Sequence, residues 1–94
     1  MAITQDLKVT FNSANVTRLA EEAGIESGNE LARRSGIAAP NFYENMGGKT
    51  FPSLKTLIRL LQGLGRSVEE IQATRLDELL IIAENQEAGV FPKN

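Results

Sequence analysis

The chain has 94 residues, of which 41% are hydrophobic, and a net charge of −2. This length allows one domain with a modest core, and this composition argues against disorder. The sequence contains no cysteine and no histidine, which excludes disulfides and thiolate metal sites and removes the commonest catalytic base, so we expect no enzyme, metal or cofactor. A run of about 18 apolar residues and a signal peptide are both missing, which favours a cytoplasmic protein with no membrane partner.

The charges are unevenly distributed along the chain. Residues 31–66 carry six basic side chains against Glu44 alone, which gives this block a charge of +5. Residues 1–30 carry −3 and residues 67–94 carry −4. Because exposed charges more than about 10 Å apart are largely screened, a polyanion would respond to the basic block rather than to the net charge. A solvated mixture of charges on exposed helices is the alternative.

The start of the chain predicts a strand or arm, followed by a short helix. In the N-terminal segment, residues 1–12, Leu7, Val9 and Phe11 alternate with polar residues as in a short strand. The helix has Asn12 or Ser13 as its cap and ends at Gly24. Its apolar stripe has helical spacing and consists of Val16, Leu19, Ala20 and Ala23.

Two further short helices follow, separated by a tight turn. Ser27 and Glu30 have the spacing of a capping box, and the second helix ends before Gly36, where a left-handed residue is favoured. The third helix begins near Ala38, and Pro40 is tolerated only in its first turn because proline has no N–H to donate. Three side chains of this region are expected to point inward: Ile37, Phe42 and Met46.

A fourth and a fifth helix are predicted in the next twenty or so residues. The fourth ends at Gly63 or Gly65, and the fifth begins with a second capping box, formed by Ser67 and Glu70. The inward stripe of the fourth helix has the i, i+3, i+4, i+7 spacing of a core-facing surface. It consists of Leu54, Leu57, Ile58 and Leu61.

The helical spacing of apolar residues breaks after Ile71, which predicts a kink or a new helix near Thr74. The following LLIIA, residues 79–83, is apolar nearly all round, which is unusual for a lone surface helix. We expect a helix covered on one side by its own core and on the other by a partner. A short strand is one alternative, and a helix folded back on its own domain is another. The predicted self-association residues, in the segment 73–94, are Leu76, Leu79, Leu80, Ile81, Ile82 and Ala83.

The middle of the chain contains a series of short motifs. These are LARRSGI, the proline at position 40, GGK before PSLKTLIRLLQGLG, and a closing SVEEI. In this order and at this spacing they resemble the lambda-repressor/Cro-like (XRE-type) helix-turn-helix family of small phage, plasmid and bacterial repressors. The resemblance covers roughly residues 16–71. It implies an all-α fold with a five-helix helix-turn-helix domain at 13–72, to which the apolar patterns described above add a C-terminal helix and a short N-terminal strand or arm.

The resemblance also implies that the third helix, residues 37–47, lies in the major groove of DNA. Ala39 and Pro40 would contact thymine methyls, because their side chains cannot hydrogen-bond a base edge. The implied base-contact residues are Ala38, Ala39, Pro40, Asn41, Tyr43 and Glu44. The implied phosphate-contact residues lie on the second helix and in the loop after the third: Ser27, Gly28, Asn29, Arg33, Arg34, Gly47, Lys49 and Thr50. For the two arginines, an ion pair on the helix surface is the alternative.

These features predict a sequence-specific DNA-binding transcriptional repressor that binds a palindromic operator as a homodimer. Its partners would be double-stranded DNA and a second copy of the chain. The alternative is an antitoxin of a toxin–antitoxin module, which would regulate its own operon with the same helices and neutralise a cognate toxin with another surface. Co-purification of a second small protein would favour the antitoxin.

Overall fold

The computed structural model of the chain describes residues 7–84 and is mostly helical, with one small antiparallel sheet of two strands. Residues 1–6 of the predicted arm and 85–94 of the predicted tail lie outside the described residues. None of the helices in the described part is long and apolar enough to cross a membrane. In chain order the elements are β1 (Leu7–Phe11), α1 (Ser13–Glu22), α2 (Gly28–Ser35), α3 (Ala39–Met46), α4 (Leu54–Gly63), α5 (Val68–Gln72), α6 (Leu76–Leu79) and β2 (Leu80–Glu84).

Side-chain caps fix where α1, α2, α4 and α5 begin. The side chain of Asn12 caps α1 by accepting a hydrogen bond from the Asn15 amide at 3.2 Å, and Ser27 caps α2 in the same way. The predicted capping box of α2 is only half formed, because the Glu30 carboxylate accepts from the Glu26 amide instead of that of Ser27. The predicted box of α5 is complete.

One apolar core joins β1, α1, α2, α3, α4 and α6. Phe11 and Leu79 bring the first strand and the last helix into it, and the Asn12 amide donates to the Leu79 carbonyl at 2.7 Å. The buried apolar side chains are Phe11, Val16, Ala20, Ile25, Leu31, Ala32, Phe42, Leu60, Leu61, Leu64 and Leu79. Of the three side chains expected to point inward near α3, Phe42 is fully within the core, and Ile37 and Met46 pack against it while partly exposed.

The core-facing stripe of α4 differs from the predicted one. Leu60 is completely buried, whereas Leu54 is 72% exposed and Ile58 is 38% exposed. The helix carries two overlapping stripes with the same helical spacing, and the structure buries the later one, which runs from Leu57 to Leu64. The physical reason is the contact with α2, which approaches α4 closely at Gly63 and so turns the later stripe inward.

The C-terminal helix predicted for residues 76–83 is wrong beyond its first turn. Helix α6 ends at Leu79, and the chain then forms β2, which pairs with β1 so that Ile82 lies opposite Val9 and Leu80 opposite Phe11. The strand alternative is therefore confirmed, as is the N-terminal strand. In a strand, the apolar residues 79–83 alternate between two faces, so only those two faces need to be covered. In a helix the same residues would point in all directions around the axis.

Candidate nucleic-acid interface

Helices α2 and α3 are joined by the three residues that follow Ser35. Gly36 has the left-handed φ of 68°, as the sequence predicted, and the Ile37 amide donates to the Ala32 carbonyl at 2.9 Å to close the turn. From α4, Nη1 of Arg59 donates to the Gly36 carbonyl at 3.3 Å. The turn is therefore held by a backbone hydrogen bond to α2 and by a side-chain hydrogen bond from α4. Together they fix the start of α3 relative to α2.

The two sides of α3 have different environments. Phe42 and Asn45 are buried, while Pro40, Asn41 and Glu44 are exposed. Ala38, the residue that caps the helix, is also exposed, and Ala39 is half-buried. The predicted base-contact residues thus share one exposed edge, apart from Ala39, which is partly covered. Among the described residues the amide of Asn41 forms no hydrogen bond, so its donors and acceptor remain available to an adenine edge.

Tyr43 lies at the border between α3 and the start of α2. Its side chain is 51% exposed, and its hydroxyl donates to Oδ1 of Asn29 at 3.0 Å. The ring meets the Phe42 ring edge to face, with 5.1 Å between centroids and an angle of 81°. A predicted base-contact residue and a predicted phosphate-contact residue are therefore joined by a hydrogen bond.

The loop after α3 is ordered by a buried side chain. Nδ2 of Asn45 donates to Oγ1 of Thr50 at 2.7 Å. Gly48 has a φ of 81°, which favours glycine, and the next amide, that of Lys49, donates to the Glu44 carbonyl at 2.9 Å. Gly47, Lys49 and Thr50 are all exposed. The predicted phosphate-contact loop is thus tied back onto the helix that it follows.

One of the six basic side chains of the block 31–66, that of Arg66, is paired with an acidic residue. Nη2 of Arg66 lies 2.9 Å from Oε1 of Glu78, and its Nη1 donates to Thr74. Arg33 and Arg34 are exposed and take part in no ion pair within residues 7–84, so the ion-pair alternative for them finds no support. Within this block, the basic side chains without an acidic partner among the described residues are Arg33, Arg34, Lys49, Lys55 and Arg59.

The structure separates the predicted self-association residues. Leu79 is 1% exposed and belongs to the core, so it is not available to a partner, and Leu80 is half-buried against the same core. Ile81 and Ile82 are exposed on opposite faces of the sheet, and Ala83 is exposed beside them. Leu76 is 60% exposed and belongs to an apolar groove. This groove has a volume of about 230 Å³ and is lined by Leu54, Leu57, Ile58, Leu61, Ile71, Thr74, Arg75, Leu76 and Leu79.

Three site residues had no functional role in the sequence analysis: Asn45, Arg59 and the half-exposed Ile58 of the groove. No local pattern marked Asn45, because its partner Thr50 lies in an irregular loop. None marked Arg59 either, because its contact with the Gly36 carbonyl joins residues 23 positions apart. Within residues 7–84, no cluster of acidic side chains is arranged to hold a metal ion. Comparison with known proteins gave no match to a protein-family model, a characterised protein or a solved structure.

Proposed function

We propose that the chain is a sequence-specific DNA-binding repressor of the lambda-repressor/Cro-like helix-turn-helix type, with α3 as the helix that enters the major groove. The observation that carries the proposal is the exposed edge of α3, where Asn41 and Glu44 project without hydrogen bonds from their side chains to other described residues. The major groove is about 12 Å wide and admits one helix, and asparagine and glutamate can read adenine and cytosine there.

Phosphate contacts would come from the two segments that flank α3. One segment is α2, with its first turn and with the exposed Arg33 and Arg34 in its last turn. The other is the loop with Lys49 and Thr50. Contacts of this kind hold a reading helix at a fixed depth and register in the groove. The amide-to-hydroxyl bond from Asn45 to Thr50 supports this role, since it keeps the loop close to the C-terminal end of α3.

The repressor would bind a palindromic operator as a homodimer. A two-fold pairing places two recognition helices about 34 Å apart, which is one turn of DNA, and therefore requires two inverted half-sites. The surfaces available for this pairing in the described C-terminal region are Leu76 with its groove and the exposed apolar residues of β2. None of the residues that line the groove belongs to α3, so pairing through the groove would leave the base-contact edge free.

The experiment that tests the proposal is selection of bound fragments from a random DNA pool, followed by affinity measurements on the selected site over a range of salt concentrations. About four to seven phosphates neutralised per subunit would give a log–log salt slope of about −4 to −6 per subunit. Enrichment of an inverted repeat together with such a slope supports a repressor. A slope near zero, or a pool that stays random, contradicts DNA recognition.

A further inference from the structure

Tyr43 is packed against the start of α2 more closely than an exposed side chain usually is. A Cβ atom added at Gly28 would lie 2.7 Å from the Tyr43 hydroxyl oxygen and 3.2 Å from two ring carbons. On its other side the ring contacts Phe42, which is 4% exposed and part of the core. The ring therefore lies between the core and the first turn of α2, and a side chain at position 28 would require the ring to shift.

The hydrogen bond from this ring determines which atoms Asn29 can offer to a ligand. A side-chain amide has one acceptor oxygen and one nitrogen with two N–H donors. Oδ1 of Asn29 accepts from the Tyr43 hydroxyl at 3.0 Å, while the Asn29 side chain is exposed and forms no other hydrogen bond within the described residues. Nδ2 is thus the end of the amide that is available, and it can only donate.

We propose that Tyr43 is a positioning residue that orients Asn29, so that the amide nitrogen of Asn29 donates to a backbone phosphate of the bound DNA. Gly28 makes this possible by leaving space for the ring. The inference rests on the proposed DNA-binding function and changes the role of Tyr43 within it. Tyr43 contributes to the affinity for every DNA sequence and does not choose a base.

The first test uses Tyr43→Phe, which keeps the ring and its contact with Phe42 but removes the hydroxyl. We expect binding about three- to tenfold weaker for all members of a site library, with unchanged base preferences, because one hydrogen bond that orients a phosphate donor is lost. Asn29→Ala should weaken binding to all members by about tenfold. The double variant should bind no more weakly than Asn29→Ala alone, because both changes remove the same contact. Lys49→Ala serves as the matched control, and its loss should add in full to that of Tyr43→Phe.

The second test uses Gly28→Ala, with thermal unfolding to show that each variant is folded. This change should displace the ring and weaken binding as Tyr43→Phe does, and it should have no further effect in a Tyr43→Ala background, where there is no ring to displace.

A Tyr43→Phe variant that changes the preference at one base pair overturns the proposal, and so does a loss of affinity that adds to that of Asn29→Ala. A wild-type protein that binds no DNA overturns the proposed function together with this inference, whereas additive losses in a protein that does bind overturn the inference alone.

Discussion

Under the proposed function, Asn41 and Lys49 would make two different kinds of DNA contact. Asn41 lies in the first half of α3 on its exposed edge, and Lys49 lies in the loop beyond the helix. Asn41→Ala should cost about 1–3 kcal/mol on the preferred site and relax the choice at one base pair, since a bidentate base contact is lost. Lys49→Ala should weaken binding to all sequences alike and flatten the salt slope by about one. Binding measured across a library of sites separates the two outcomes, and identical behaviour of the two variants would contradict the division of roles.

The closest approach between α2 and α4 depends on Gly63. A Cβ atom there would lie 2.1 Å from Oγ of Ser35 and 3.0 Å from its Cα, a backbone atom that cannot move aside. We therefore expect Gly63→Ala to destabilise the fold by about 1–3 kcal/mol through overpacking, although alanine normally favours a helix over glycine. Chemical denaturation would measure the change, with the exposed neighbour Gln62→Ala as the control. An unchanged or raised stability of Gly63→Ala would show that the two helices can separate at little cost.

Individual residues were predictable where a local rule determines them. The left-handed Gly36 and the cap at Ser27 followed from local spacing, because glycine alone tolerates that φ freely and a serine before a helix can satisfy a free amide. Burial of Asn45 did not follow, because its partner Thr50 lies in an irregular loop whose path no periodicity describes. Likewise, nothing local distinguishes the two overlapping apolar stripes of α4, since the choice depends on where α2 packs.

Among the elements, α6 is held in place mainly by Glu78. The Glu78 carboxylate accepts from the Arg75 amide at 3.2 Å and from Nη2 of Arg66 at 2.9 Å. Its backbone carbonyl accepts from the side chain of Asn15 on α1. One residue therefore ties the last helix to α1 and to the segment before α5, and this brings Leu79 into the core and starts β2 beside β1.

These contacts make the stability of the fold depend on pH. The hydrogen bond from the Arg75 backbone amide and then that from Arg66 hold the pKa of Glu78 below its ordinary value. The unfolded chain therefore binds the proton more readily, and the stabilisation is present at neutral pH and lost as the pH falls below about 4.

Because the Glu78 side chain is 35% exposed, we expect Glu78→Gln to lower stability at pH 7 by no more than about 1 kcal/mol. The difference from the wild type should shrink on acidification. Denaturation at pH 7 and pH 3 measures it, and a difference of the same size at both pH values would contradict this account.

The sheet shows why one element was assigned incorrectly from the sequence. Residues 79–83 are apolar without a period, and such a run fits a buried helix and a short strand equally well. The decision comes from the partner strand, Leu7–Phe11, which lies about 70 residues earlier in the chain. Pairing Val9 with Ile82 and Phe11 with Leu80 places these four apolar side chains on the same face of the sheet. A helix would have left Phe11 without its neighbour, and no local pattern reports this pairing.

At the scale of the whole molecule, apolar surface remains in two places after the core has closed. One is the groove between α4, α5 and α6, where Leu54 is 72% and Leu76 is 60% exposed. The other is the sheet, where Ile81 is 49% and Ile82 is 44% exposed. Contiguous exposed apolar patches in a small protein usually mark an interface. The groove is such a patch, whereas Ile81 and Ile82 lie on opposite faces of the sheet, so each face offers one of them. The self-association surface stays a prediction, and Leu79 is removed from it because the core requires that side chain.

Point substitutions at these two patches test the homodimer without disturbing the core. We expect the wild-type protein to sediment as a dimer at tens of micromolar. Leu76→Asp with Ile82→Asp should give a folded monomer, because a buried unpaired charge is costly in an interface and harmless on a free surface. Binding to the palindromic site should then weaken about a hundredfold, since the two half-sites are no longer engaged together, while binding to a single half-site stays unchanged. The two single variants show which patch forms the contact. Val68→Asp, at an exposed apolar residue outside both patches (67% exposed), should leave the dimer intact. A wild-type protein that remains monomeric at these concentrations and binds one half-site at full strength would contradict the two-fold arrangement.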